Sequence, residues 1–450
     1  MPVSPARAAA FDILIRVERQ SAYASELLHS AAHAHLSAAD HALATELVMG
    51  VLRWQSRLDD EIAGASSHPT AKLDLEVLIA LRLAVYQLRW LDRIPQRAAI
   101  HESVELVKRA RKRSAAPLVN AVLRKLAGLR GPECFIDDSA SPEDLSRCFS
   151  HPLWMIERWA RESSVETARQ ICEHDQSVPV TAIRMRSGNA EASLSQDGIA
   201  LAPGGLLASA RRVTSGAITE SRAFRTGEVV IQDEGSQLVA ALLNTAAAER
   251  PRILDCCAAP GGKTLAMADA NPGALITAVE LHAHRARLLR KLLATSGAGE
   301  RIQVVVGEAR SLPLSGGFDL VLADVPCSGS GTLARNPEIK WRLKPEDLTE
   351  LHERQVVILR SALAQAASGG RVIYSTCSLE REENESVVEQ VLAEVDSLRL
   401  IECGPELQRL KTAGKLSWVD VESLTRGPYL RTIPGVHPCD GFFAAVIEKH

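Results

Sequence analysis

The chain has 450 residues, of which 46% are apolar, and a net charge of −3, enough for two or three domains with real cores. No run of about 18 uncharged apolar residues occurs, which excludes a helical membrane span. Asp12, Arg16 and Glu18 interrupt the region where a signal peptide would carry its apolar core. Nine cysteines, an odd number without a dense framework, fit a reducing cytoplasm. Cys256-Cys257 is an adjacent pair, not a C-x-x-C, and no zinc spacing is present, so no metal is expected. The charge is unevenly spread: residues 1–130 hold 18 Lys/Arg against 13 Asp/Glu, a net +5, which leaves −8 for the remainder. A basic module fused to an acidic one implies a polyanionic partner for the first.

Residues 1–130 read as consecutive amphipathic helices. Val77, Leu81, Ala84, Leu88 and Leu91 recur at helical spacing, as do Leu43, Leu47 and Trp54, and Ser37-Ala38-Ala39-Asp40 is a capping-box signature. Between Val107 and Leu126 the basic residues are Lys108, Arg109, Arg111, Lys112, Arg113, Arg124 and Lys125, with no acids interspersed. This pattern favours phosphate contact over a solvated face. Residues 131–150 are polar and read as a linker. A small α+β subdomain is expected over 151–230: a helical stretch from His151 to about His174, a strand over Val178–Arg186, and a further segment near Ile199–Ala210.

Residues 231–450 read as the catalytic domain. Residues 231–238 lead into a helix that feeds an alternating β/α pattern, with strands expected at 252–256, 275–280, 302–306, 318–324, 370–376 and 442–447. That is a doubly wound, mainly parallel sheet, whose ligands bind beyond the carboxyl ends of the strands. After the first strand comes Cys257-Ala258-Ala259-Pro260-Gly261-Gly262-Lys263 and a new helix. A strand, a Gly turn and a helix N-terminus bring backbone N–H groups close to a ligand. A Walker A loop would need Gly where Cys257 stands, and G-x-G-x-x-G is absent. What remains suits a nucleoside carrying an amino-acid carboxylate, namely S-adenosylmethionine. Glu280 ends the second strand, placed for a ribose diol, and Glu308 comes after the third, a position from which it could face the adenine. The fourth ends in Asp324-Val325-Pro326-Cys327 and the fifth in Ser375-Thr376-Cys377. If these two strands are neighbours, their spacing of about 4.8 Å brings two thiols together over the cofactor cleft. Glu380, Glu382, Glu383 and Glu385 read as the first turn of a helix, most of them on the surface.

Asp-Cys-Cys-Ala-Ala-Pro-Gly-Gly-Lys-Thr at 255–264, Asp324-Val-Pro-Cys-Ser-Gly with Asn336-Pro337 and Lys340-Trp341, and Tyr374-Ser-Thr-Cys-Ser-Leu with Glu383-Asn384-Glu385 resemble the RNA cytosine-5 methyltransferases. Asp440-Gly441-Phe442-Phe443 resembles that family's final strand, and the helical N-terminal module, similar to the antitermination factor NusB, points to the Sun/RsmB branch, which modifies 16S ribosomal RNA. The resemblance implies an all-α RNA-binding domain, then the small α+β subdomain and a Rossmann-like domain with a mainly parallel seven-stranded sheet. It implies Cys377 as nucleophile and Cys327 in release; Asp324 is placed to hydrogen-bond the ring edge as charge develops, and Lys263 to orient the cofactor or the active site. S-adenosylmethionine would be held by residues 257–263, Glu280, Arg285, Glu308 and Asp324. The expected partner is 16S rRNA outside the mature ribosome, with the chain a cytoplasmic monomer not bound to a membrane. Cys256, Glu280, Glu308 and Val325 stand where the family has an apolar or small residue, Asp, Asp and Ala, and Arg186 where Asn is commoner. Two other classes compete. A non-catalytic antitermination factor needs neither Cys327 nor Cys377, and a small-molecule or protein methyltransferase needs no basic module. Within the family, tRNA and 23S rRNA are alternative substrates.

Overall fold

The computed structural model describes residues 3–131, 134–137, 139–243 and 250–450. They form two compact units, Met1–Val178 with Leu333–Leu343, and Pro179–Thr332 with Lys344–His450. Among the described residues, no helix is long and apolar enough to cross a membrane.

The first unit is helical. Its central helix, Leu75–Trp90, is buried at every position from Ile79 to Gln87, as expected of a helix with apolar residues all round. Helices Pro5–Gln20, Ala38–Arg53, Gln96–Arg109 and Ala116–Ala127 surround it, and Leu14, Leu47, Leu81, Val107 and Leu123 share one core. Ser37 caps the helix Ala38–Arg53 by accepting from the Asp40 N–H at 3.1 Å.

The unit runs past the expected domain end. The stretch 131–150 holds a helix, Pro142–Phe149, fixed by a capping box between Ser141 and Asp144; Pro132, Glu133 and Asp138 lie outside the described residues. The next helical stretch is two helices, Leu153–Glu162 and Val165–Gln176, separated where Ser164 caps the second. Both belong to this unit and not to the α+β region. The composition suggests free thiols throughout, but Cys134 and Cys148 form a disulfide. Their Cα atoms are 5.5 Å apart, within the usual range for a bridge.

Residues 333–343 complete the unit from far along the chain. Glu338 accepts from the Ala24 N–H at 2.8 Å. Trp341 Nε1 donates to the Leu52 carbonyl at 2.7 Å. Lys340, fully buried, donates to the carbonyls of Arg53 and Ser150, both at 2.9 Å, and burial pushes its ammonium down to a pKa of about 7.

The basic run is less bare than its own sequence indicates. Arg109 pairs with Asp12 at 3.0 Å and Lys112 with Asp74 at 3.0 Å, acids supplied by other parts of the unit, while Lys108 pairs with Glu105. Arg111, Arg113 and Arg124 are exposed. Charge reversal of these three to Glu is expected to weaken rRNA binding and flatten its dependence on salt, since each lost phosphate contact removes roughly one unit of slope in log K against log [salt]. An unchanged slope in a salt-titrated filter-binding assay would make this a solvated face.

The second unit holds two sheets. Strands β1 (Thr181–Met185), β2 (Ala200–Pro203), β3 (Ala210–Ser215) and β4 (Val229–Ile231) form an antiparallel sheet in the order β2-β3-β1-β4. The larger sheet contains β5 (Arg252–Asp255), β6 (Leu275–Glu280), β7 (Ile302–Val306), β8 (Phe318–Asp324), β9 (Ala366–Thr376), β10 (Leu398–Ile401), β11 (Thr425–Arg426), β12 (Tyr429–Thr432) and β13 (Phe442–Lys449). Their order is β11-β12-β13-β9-β8-β5-β6-β7, with β10 beside β13. The five strands from β7 to β9 are parallel, and β13 runs antiparallel to β9. The described sheet thus has nine strands and not seven; the additional ones are two to four residues long and sit at one end, too short to show a period. Alternate side chains feed two cores: Ile253, Ile276, Leu320 and Ile373 on one face, Leu254, Val279, Val321 and Tyr374 on the other.

Candidate active site

Because β5, β6, β8 and β9 are parallel neighbours, their carboxyl ends share one edge of the sheet, and the chemistry-bearing residues gather there. At the end of β5, Asp255 is buried and accepts from the Thr264 hydroxyl at 2.6 Å and the Cys257 N–H at 3.4 Å. Burial raises its pKa to about 7 despite the Thr264 bond. Cys256 and Cys257 are also pushed well above the ordinary thiol value, first by burial and then by nearby negative charge, which leaves them as unreactive thiols. Ala258 N–H donates to the Val279 carbonyl at 2.8 Å, lacing the loop to β6.

After Ala259 and Pro260 the chain turns at Gly261, whose φ is +114°. A Cβ there would lie 2.6 Å from Leu289 Cδ1, so only glycine fits on both counts. The helix Gly262–Ala270 starts with no side-chain cap and no acid in its first turn. The first N–H groups of a helix have no partner within it, so an uncapped start is the kind of end that can take a ligand carboxylate. Glu280 is buried at the end of β6, accepts from the His282 N–H at 2.9 Å, and lies 4.0 Å from Arg285. Arg285 also donates to the Ala259 carbonyl at 3.3 Å. An uncapped helix start beside a buried carboxylate is a donor-and-acceptor set that could hold the carboxylate and ribose diol of S-adenosylmethionine. Glu308 is differently engaged: it caps the turn Ala309–Ser311 and pairs with Arg310 at 3.1 Å, the hydrogen bond from Arg310 holding its carboxyl below the usual range.

Lys263 and Asp324 meet across the gap between the first helical turn and β8, Nζ to Oδ2 at 2.8 Å, with side chains 13% and 28% exposed. Ser375, directly beside Asp324 in the β8–β9 register, donates to the other carboxylate oxygen at 2.7 Å. The Lys263 ammonium lies 5.0 Å above the Phe442 ring. Burial works against the lysine's charge, but Asp324 outweighs it and raises the pKa.

Cys327 and Cys377 leave β8 and β9 side by side, their sulfurs 3.4 Å apart. Both thiols are partly exposed. The hydrogen bond to Cys377 and then burial push Cys327 above the ordinary thiol value, and either sulfur can be the donor in the bond between them. The glutamates after Cys377 are not on the surface as a group. Glu380 and Glu383 are 2% and 0% exposed, and Glu383 accepts from Ser328 and Ser378, the residues after the two cysteines. Glu383 and Ser375 are the residues that reading the sequence did not assign to the site; the Glu383-Asn384-Glu385 triplet was visible, but not what it binds.

Residues 240–448 match the family model for the 16S rRNA methyltransferase RsmB/F, and residues 4–128 that of the NusB family. The chain is 32% identical to the probable ribosomal RNA small subunit methyltransferase B of Bacillus subtilis (strain 168), over 100% of both chains. It is 30% identical to the ribosomal RNA small subunit methyltransferase B of Vibrio cholerae, over 93% of this chain and 92% of the relative. Among solved structures it is similar to a methyltransferase homolog protein from Pyrococcus horikoshii, at 25% identity and a TM-score of 0.56, over 69% of this chain and 100% of that one.

Proposed function

The chain belongs to the RsmB/F family of 16S rRNA methyltransferases, and on that premise we propose that it methylates carbon 5 of a cytosine in 16S rRNA through a covalent bond between Cys377 and the base. The enzyme is an S-adenosylmethionine-dependent rRNA methyltransferase. The observation that carries the finer reading is the pair of thiols 3.4 Å apart beside the Lys263–Asp324 ion pair.

Carbon 5 of cytosine is a poor nucleophile, and a thiolate adding to carbon 6 changes that. The new S–C6 bond pushes an electron pair into the ring, and the resulting enamine makes carbon 5 nucleophilic. Lys263, held by Asp324, stabilises the negative charge that develops at the ring edge and can lend it a proton. S-adenosylmethionine, when bound, supplies an electrophilic methyl group. Cys327, as a thiolate, takes the carbon 5 proton, the C5–H electron pair re-forms the C5–C6 double bond, and the S–C6 pair returns to Cys377, which frees the base. The two adjacent sulfurs support two roles at one base, and the assignment of attack to Cys377 and release to Cys327 follows the family resemblance. The target base must leave its stack to reach the strand ends, at a cost of a few kcal/mol, which favours 16S rRNA outside the mature ribosome.

The test is chemical. After incubation with 16S rRNA and methyl-labelled S-adenosylmethionine, the RNA is digested to nucleosides; the label is expected in 5-methylcytidine. Label in another nucleoside, or in ribose, would overturn the reading.

A further inference from the structure

Glu383 touches neither of the two sulfurs, yet both cysteine loops converge on it. Its side chain is fully buried. Oε1 accepts from the Ser328 N–H at 2.8 Å and from Gln355 Nε2 at 2.9 Å. Oε2 accepts from the hydroxyls of Ser328 and Ser378, each at 2.5 Å. Gln355 donates in turn to the carbonyl of Pro326, the residue before Cys327, at 3.0 Å. The carboxylate is itself anchored through its backbone: Tyr374, within β9, donates its hydroxyl to the Glu383 carbonyl at 2.5 Å. One charged group therefore ties down residues on both sides of Cys327 and the residue after Cys377.

Hydrogen bonds to a carboxylate are short and roughly twice as strong as neutral ones, and a buried carboxylate is tolerated only when its donors are supplied. The clamp is accordingly stiff, and its two ends are the two loops whose separation matters to the reaction. We propose that Glu383 is a positioning residue that fixes the separation of the Cys327 and Cys377 thiols and thereby the rate of turnover. The proposal rests on the covalent reading given above.

Its test has one readout that needs no methylation. In the full-length protein, diamide oxidises the two thiols to a disulfide, taking up their two hydrogens as it becomes the hydrazine, and peptide mapping measures how fast the Cys327–Cys377 bridge forms. Glu383→Ala is expected to slow bridging at least tenfold and to lower kcat ten- to a hundredfold, with the KM for rRNA within twofold of the wild type. Glu383→Gln keeps one carbonyl acceptor and should recover part of both losses. It also provides the answer if the alanine variant fails to fold. Ser378→Ala, which removes one of the four donors, should fall between the wild type and Glu383→Ala. Bridging as fast as in the wild type would overturn the proposal, as would slow bridging with unaltered kcat. Failure of the covalent reading is distinguishable, because Cys377→Ala would then still methylate whatever the Glu383 variants do.

Discussion

Cys377→Ala is expected to lose methyl transfer entirely and to form no bond with RNA, whereas Cys327→Ala should methylate once and remain attached to its product. The two thiols are 3.4 Å apart, so the difference comes from the order of the chemical steps and not from their location. Attack comes first. Without it, carbon 5 is never activated, and the loss is on the scale of deleting a catalytic nucleophile, of the order of 10⁶-fold. Release comes last, so its impairment leaves a single round of methylation and an intact S–C6 bond. The observable is a protein–RNA band that survives denaturing electrophoresis and vanishes with ribonuclease. It should appear with Cys327→Ala and be absent from Cys377→Ala and from the double variant. A band that required Cys327 and accumulated in Cys377→Ala would exchange the two roles. Methylation by both single variants would remove the covalent mechanism altogether.

The second large effect separates stability from catalysis at the Lys263–Asp324 pair. Asp324→Ala removes the carboxylate 2.8 Å from the Lys263 ammonium and strands that charge in a side chain only 13% exposed. Stranding a buried charge costs about 3–5 kcal/mol, and the remaining exposure lowers this to about 2–3 kcal/mol. For a unit of this size, the Tm should fall by roughly 5–10 °C. Adding Lys263→Met removes the stranded charge and should restore most of the Tm. It should not restore activity, which is expected to stay roughly 10²- to 10⁴-fold down, because the group that stabilises charge on the ring is gone. If Asp324→Ala melted with the wild type, the pair would be solvated in practice. If the double variant methylated normally, neither residue would serve the reaction.

What could be read from the sequence was what repeats or what stands at a strand end. The expected strands 252–256, 275–280, 302–306 and 318–324 correspond to β5–β8 within one residue, because each is an apolar run bounded by a turn. The approach of Cys327 to Cys377 was legible for the same reason: adjacent parallel strands that end in register deliver their next residues to one place. Features that depended on contacts distant in sequence were not legible. Arg109 and Lys112 looked unopposed because Asp12 and Asp74 lie outside the basic run. The polar stretch at 131–150 hid the helix capped by Ser141, since the same residues that mark a linker also start helices. Glu383 stood among four glutamates of which most were expected on the surface, and only the convergence of Ser328, Ser378 and Gln355 marks it as buried.

The segment at 333–343 has a consequence for how the protein is made. The helical unit takes its closing pieces, Glu338, Lys340 and Trp341, from a position 155 residues after Val178 and beyond. A ribosome adding 5–20 residues per second needs roughly ten to thirty seconds more to deliver them. During that interval the carbonyls of Leu52 and Ser150, already synthesised, lack the donors that Trp341 and Lys340 later bring, while Arg53 has the bond from Gln176 alone. The N-terminal unit therefore emerges first but is finished late, after the nascent chain has passed Cys327, so that its final locking coincides with synthesis of the catalytic core.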